Sequence, residues 1–156
     1  MPNQSLTGIE MMNDKQLNQL FDELTPKNQN QIVANGYRKA GNIILTQIKS
    51  NFKDRIKGNT ADMLRLFTVQ NLKTKVGCRI GVPIKDKSYI MRFLEYGVQD
   101  RIAKNKNGVN HFTGKIEGRK FFSDGVDEKK DEAQEAVQKS IIESMEKLVE
   151  KYNKMK

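Results

Sequence analysis

The chain has 156 residues, enough to bury one core and too few for two sizeable ones, so a single domain is expected. It is 37% hydrophobic and 30% charged, with three prolines and no tryptophan; no apolar run approaches the roughly 18 residues of a membrane span and no basic-then-apolar leader pattern opens it, so a soluble product made in the cytoplasm is expected. The net charge is +9, and because residues 127–156 carry eight acidic and seven basic side chains, residues 1–126 hold +10, an excess that favours polyanions such as DNA although no tight basic cluster forms.

From Asn13 to Leu24 the apolar residues Leu17, Leu20, Phe21 and Leu24 fall on one face of a short helix, an N-terminal extension over residues 1–25. Thr25 and Pro26 end it and start another: threonine caps free amides, and proline suits the first helical position, where its missing N–H would be unpaired anyway. The second helix is expected to run to about Phe52, with Ile32, Val33, Gly36, Tyr37, Ala40, Ile43, Ile44 and Ile48 as its apolar stripe. Gly36 and Gly41 weaken it, so close approach of another backbone is their expected benefit. Lys49, Lys53, Arg55 and Lys57 gather at its end, where cations oppose the negative pole of the helix dipole.

After Gly58-Asn59, the run Thr60-Ala61-Asp62-Met63-Leu64-Arg65-Leu66 fits either a helical turn or the entry to a strand. Phe67–Lys73 suits a strand, and Val76, Cys78, Ile80 and Val82 alternate at period two, giving an antiparallel hairpin with a turn near Thr74 that Pro83 ends. Cys78, the only cysteine, reads as a small apolar residue of that strand. In Ser88–Gly97, Ile90, Phe93 and Leu94 fit a helical face and Gly97 a left-handed cap. Residues 98–118 are polar and glycine-bearing, with Arg101, Lys104, Lys106 and Lys115 against Asp100 and Glu117, and are expected to form a long mobile loop with turns at Asn107-Gly108 and Thr113-Gly114. His111, the only histidine, falls within it. Phe121-Phe122 returns to the core. A last helix from about Val126 lines up Ala133, Val137, Ile141, Met145, Leu148, Tyr152 and Met155 in steps nearer 3.6 than 3.5, which favours packing on a globular body over a coiled-coil seam.

No motif carries catalysis. A triad would have to run through His111 in a polar loop, and one cysteine with one histidine makes neither a disulfide nor a zinc site of several such ligands. Asp54, Asp62, Asp86, Glu95 and Asp100 show no paired-carboxylate spacing. Glu95 is the carboxylate to examine first, with a salt bridge or cap beside Gly97 as its expected role. No catalytic, cofactor-binding or metal-binding residue is therefore assigned.

The order of long helix, hairpin, Tyr-x-x-x-Phe-x-Glu-Tyr-Gly, loop, Arg-x-Phe-Phe and long terminal helix resembles the Hong Kong 97 gene-ten-like family of phage head–tail joining proteins. The matching residues are Thr60-Ala61-Asp62-Met63-Leu64 for the family's Thr-Gly-x-Leu turn, Tyr89, Phe93, Glu95, Tyr96 and Gly97 for its Tyr…Phe…Glu-aromatic-Gly segment, and Arg119, Phe121 and Phe122 for its Ala-Arg-Pro-Phe segment. Lys120 stands where the family usually has proline, and the stretch between Gly97 and Arg119 is longer than usual. The likeness covers most of the chain from Pro26 onward, with residues 26–156 as the joining-protein-like core. It implies an α+β fold in which long N-terminal and C-terminal helices pack on a small twisted antiparallel sheet. It also implies a structural virion protein of the neck or tail-completion layer, made in the host cytoplasm and located at the head–tail junction. Such a protein forms a homo-oligomeric ring, contacts other neck or tail proteins, and has no enzymatic activity and no membrane association. Arg101, Lys104, Lys106 and Lys115 are the expected interface or DNA-facing residues, with any DNA contact weak and non-specific. The alternative is a sequence-independent nucleic-acid-binding module, motivated by the +10 of residues 1–126.

Overall fold

Thr25 opens the first long helix through a bond from the Asn28 amide to its Oγ1 at 3.4 Å, and the Gln29 amide donates to its carbonyl at 3.0 Å. The computed structural model describes residues 19, 21–58, 60–73, 75–83, 88–100, 102–104, 106–112 and 114–153. The elements in chain order are helix α1 (Pro26–Arg55), helix α2 (Ala61–Leu66), strands β1 (Thr68–Asn71) and β2 (Cys78–Gly81), helix α3 (Ser88–Tyr96), strands β3 (Gly97–Val98), β4 (Ile102–Lys104), β5 (Asn110–Phe112) and β6 (Ile116–Glu117), and helix α4 (Phe121–Asn153). The class is α+β. Three two-stranded ladders, β1 with β2, β3 with β6 and β4 with β5, take the place of one continuous sheet. Leu17, Leu20, Thr74, Asp86, Arg101, Thr113 and Met155 lie outside the described residues, as do the side chains of His111 and Tyr152.

The chain divides into two compact units, 1–41 with 70–79 and 131–156, and 42–69 with 80–130; the divisions fall within α1, β1, β2 and α4. The first has a core of Ile32 and Met145, packed by Phe21, Leu24, Ile141, Leu148 and Val149. Gly36 lets the two long helices close there, since a Cβ on it would sit 3.3 Å from the Val137 carbonyl oxygen. Lys39 pairs with Glu143 at 3.0 Å, and the Cys78 thiol, only partly buried, donates to the Tyr37 carbonyl at 3.2 Å.

The second unit has the larger core, in which Ile48, Phe52, Phe67, Met91 and Phe121 are buried. Phe52, Phe67 and Phe121 meet edge to face with centroids 4.8 to 6.1 Å apart, the geometry the ring quadrupoles favour. Met63 and Leu64 of α2 pack against this core, so the segment open between turn and strand is helical. Beside it a polar seam joins α1 to α4. Gln47 donates to Glu128 at 2.7 Å, and the buried Asn51 reaches both Glu128 and the Phe121 carbonyl.

Two expectations need correction. Helix α4 starts at Phe121, five residues before Val126. Within it a Cβ on Gly125 would lie 2.9 Å from the Ile48 side chain and 3.0 Å from its Cα, so this glycine lets α1 and α4 close together. The stretch 98–118 is not a structureless loop but carries strands β3 to β6, with His111 in β5 opposite Ala103.

Candidate functional site

Two of the three segments that carry the family resemblance, Tyr89…Gly97 and Arg119…Phe122, meet at one point, the N-terminus of α4. A helix start leaves amides without partners inside the helix, and a side-chain oxygen usually supplies one from the residue just before it. Here neither Arg119 nor Lys120 can act so. Instead Glu95, from the last turn of α3 and only 4% exposed, accepts from the Phe122 amide at 2.8 Å, the Ser123 amide at 2.9 Å and the Ser123 hydroxyl. A negative carboxylate also suits the positive pole of α4.

Backbone bonds close the same joint. The Arg119 amide donates to the Leu94 carbonyl at 2.8 Å and the Lys120 amide to the Glu95 carbonyl at 3.1 Å. Arg55 holds the other side: its Nη1 donates to the Arg119 and Lys120 carbonyls and to Asp124, so its main role is a clamp on the entry to α4 rather than a partner of its own helix dipole. Gly97 has φ +77°, the left-handed conformation expected of it. At the joint a Cβ on Gly97 would lie 2.5 Å from the Ile116 carbonyl oxygen, and one on Gly118 would lie 2.7 Å from the Tyr96 carbonyl carbon, so the two chain segments touch backbone to backbone.

Lys120 has φ 45°. Proline, locked near −65° and lacking an N–H, can neither adopt that conformation nor make the bond to Glu95. The departure from the family's proline is therefore built into this joint.

The structure splits the eight motif residues by role. Glu95 and Phe121 are buried, Phe93, Gly97 and Phe122 are half-buried, and Tyr89, Tyr96 and Arg119 stand on the surface, with Tyr89 edge-on to Phe93. An open apolar groove of about 390 Å³, lined by Phe67, Val82, Met91, Tyr96 and Phe122 among others, lies beside the joint.

From this joint springs an arm. In β3 and β6 Val98 faces Ile116, and in β4 and β5 Ile102 faces Phe112, so four residues forward on one strand match four back on the other and both ladders share one register. Gly108, with φ +74°, makes the tip at the expected Asn107-Gly108 turn, and Gly114, with φ +79°, lies between the two ladders. Alternation along a ribbon puts Val98, Ile102, Phe112 and Ile116 on one face. That face is uncovered: Ile102 is 66% and Phe112 63% exposed. Lys104, Lys106 and Lys115 are exposed along the arm; the fourth expected cation, Arg101, is among the residues outside the described set.

Among the described residues no group of three or more His, Cys, Asp and Glu side chains is placed to hold a metal ion, and no helix is long and apolar enough to cross a membrane. Comparison of the chain with protein-family models, with curated proteins and with solved structures finds no match.

Proposed function

We propose that this chain is a structural virion protein of the neck or tail-completion layer of a long-tailed bacteriophage, joining capsid and tail through ring assembly with other neck or tail proteins, without catalysis. The observation that carries this reading is the joint at α4. Two of the three short motifs behind the resemblance, distant in sequence, are the two halves of one cap, with Glu95 on one side and Phe122 and Ser123 on the other. A coupling of that kind gives their order and spacing a physical reason. The joint also roots an arm whose exposed apolar face suits contact with another surface, as an assembly subunit requires.

The test is joining itself. Lysates of the encoding phage lacking this chain should hold full heads and free tails by electron microscopy, and adding the purified protein should restore joined particles. Joined, infectious particles formed without it would overturn the proposal.

A second reading, a sequence-independent nucleic-acid-binding module, draws on Lys104, Lys106 and Lys115 exposed along the arm. Scattered lysines neutralise phosphates without reading bases, so binding under that reading is weak and steeply lost between about 50 and 200 mM salt. Tight binding to one sequence at physiological salt would instead mark a regulator.

A further inference from the structure

We infer that the apolar face of the β-arm docks on a second copy of this chain, along the exposed side of α4 centred on Ile142. The inference rests on the ring-assembly reading and supplies the contact that reading leaves open. A lone two-stranded hairpin is marginal in water, and this one shows Ile102, Phe112 and Ile116 to solvent on one side, so covering that side stabilises the arm as well as the contact.

Charge selects the occupant. Residues 98–118 carry Arg101, Lys104, Lys106 and Lys115 against Asp100 and Glu117, a net of +2. On α4 a shallow groove of about 560 Å³ is lined by Glu135, Gln138, Lys139, Ile142, Glu143 and Glu146; with Lys39 paired to Glu143, three acidic and two basic groups leave a net of −1 around a partly exposed isoleucine. Apolar centre meets apolar centre, and basic rim meets acidic rim.

Arm and groove are different patches of one chain, so the contact is head to tail. It propagates into a ring or an open chain and does not stop at a two-fold dimer. A ribbon on the order of 35 Å long and ~10 Å wide buries roughly 700 Å² over both partners, below the size of stable complexes. Pairwise association is therefore weak, and closure of a ring or a partner surface strengthens it.

Sedimentation velocity and native mass spectrometry of the full chain, from about 10 to 500 µM at low salt, test this. The average mass should climb with concentration past that of a dimer. Ile102→Ser with Phe112→Ser should abolish the climb while leaving the melting temperature unchanged, since both side chains are exposed. Lys104→Glu with Lys106→Glu, and separately Glu135→Lys with Glu146→Lys, should each weaken association at least tenfold, and an equimolar mixture of the two variants should associate again. Should the double glutamate variant melt early, Glu135→Lys alone serves, its side chain being exposed.

A two-fold dimer, unchanged association of the serine variant, or a mixture that stays monomeric would each overturn the inference. So would arm amides protected from hydrogen exchange only when a 30-base-pair duplex is added. Joining assays keep the two proposals apart. Heads and tails that join in lysates lacking the chain, while the purified chain still self-associates through the arm, count against the neck role alone, whereas wild type that never associates but whose arm variants fail to join counts against this contact alone.

Discussion

Removing the Glu95 carboxylate should be the most informative single change in the second unit, because the group is a cap that comes from outside its helix. Glu95 accepts three hydrogen bonds at 4% exposure, two from the first amides of α4 and one from the Ser123 hydroxyl. Bonds to a charged acceptor contribute about 1.5–3 kcal/mol each, but that sum overstates the loss. Burying the carboxylate has its own cost, and the adjoining open cavity lined by Gly118, Lys120 and Ser123 lets water reach the freed amides. A net loss of about 3 kcal/mol is expected for Glu95→Ala. For Glu95→Gln it is about 2 kcal/mol, since one oxygen still accepts while the NH₂ faces a donor and the charge at the helix pole is gone. Ser123→Ala removes one bond of the three and should cost under about 1 kcal/mol. At about 2–4 °C per kcal/mol for a chain of this size, Glu95→Ala melts about 6–12 °C early. Circular dichroism melts give the ranking, and hydrogen exchange should show the Phe122 and Ser123 amides deprotected first. A Glu95→Gln variant melting within 2 °C of wild type, or a Glu95→Ala variant no weaker than Ser123→Ala, would refute the cap as the principal tie.

Lys120 is the one non-glycine with positive φ among the described residues, so Lys120→Gly should raise stability by about 0.5–1 kcal/mol, read from the urea midpoint, while Lys120→Pro should lower it by about 3 kcal/mol or more. Gly118→Ala sets a Cβ against backbone atoms of Glu95 and Tyr96 that cannot swing away and should cost about 2–3 kcal/mol; Gly108→Ala meets nothing within 4 Å and should cost only the left-handed penalty of about 1 kcal/mol, so equal losses for the two would refute the close approach at the joint. Burial pushes the Cys78 thiol up. Because its folded pKa lies above the unfolded one, less thiolate exists in the native chain at a given pH, and the stability it contributes is lost as pH rises past the unfolded value. Iodoacetamide at about pH 8.5 should therefore alkylate native Cys78 more slowly than the urea-unfolded chain, with equal rates counting against its partial burial.

The sequence speaks most clearly where a feature is local. The Thr25-Pro26 start of α1, the apolar stripe through Ile32, Ala40 and Ile48, and the left-handed cap at Gly97 are each decided by residues within a turn or two, and the structure has all three, with Tyr37 of that stripe exposed. It misleads where the deciding group is distant. No capping residue precedes Phe121, because the cap is Glu95 from another helix, so the start of α4 is invisible to a local search. The roles of Arg55 and Ser123 have no signal in the chain at all, being set by what folds beside them. The arm shows an intermediate case. Its strands are two or three residues long with polar and glycine residues between, so period-two alternation is lost along either strand. It emerges only when Val98 and Ile102 are set against Ile116 and Phe112 in one register.

The root of the arm is tied to the second unit by several bonds and close contacts, and this bears on how a docking contact forms. Both strands are pinned at the joint: Gly97 and Gly118 touch through backbone, the Arg119 and Lys120 amides bind the end of α3, and Glu95 ties that end to α4. Among the described residues the ladder runs at the other end to Lys104 opposite Asn110. A contact made by an arm already aimed loses less conformational freedom on docking than one made by a tethered ribbon, and side chains near the root lose least. Ile116 and Val98 are therefore the anchors whose burial adds most to affinity per unit area, whereas Ile102 and Phe112, farther out, bring more exposed surface at a larger ordering cost. If this division holds, Gly118→Ala, which disturbs the root without touching the apolar face, should weaken self-association as well as the melting temperature, and Phe112→Ser should weaken association alone. A Gly118→Ala chain that melts early yet associates as wild type would show that the arm docks as a loose ribbon, leaving the joint at Glu95 a matter of folding only.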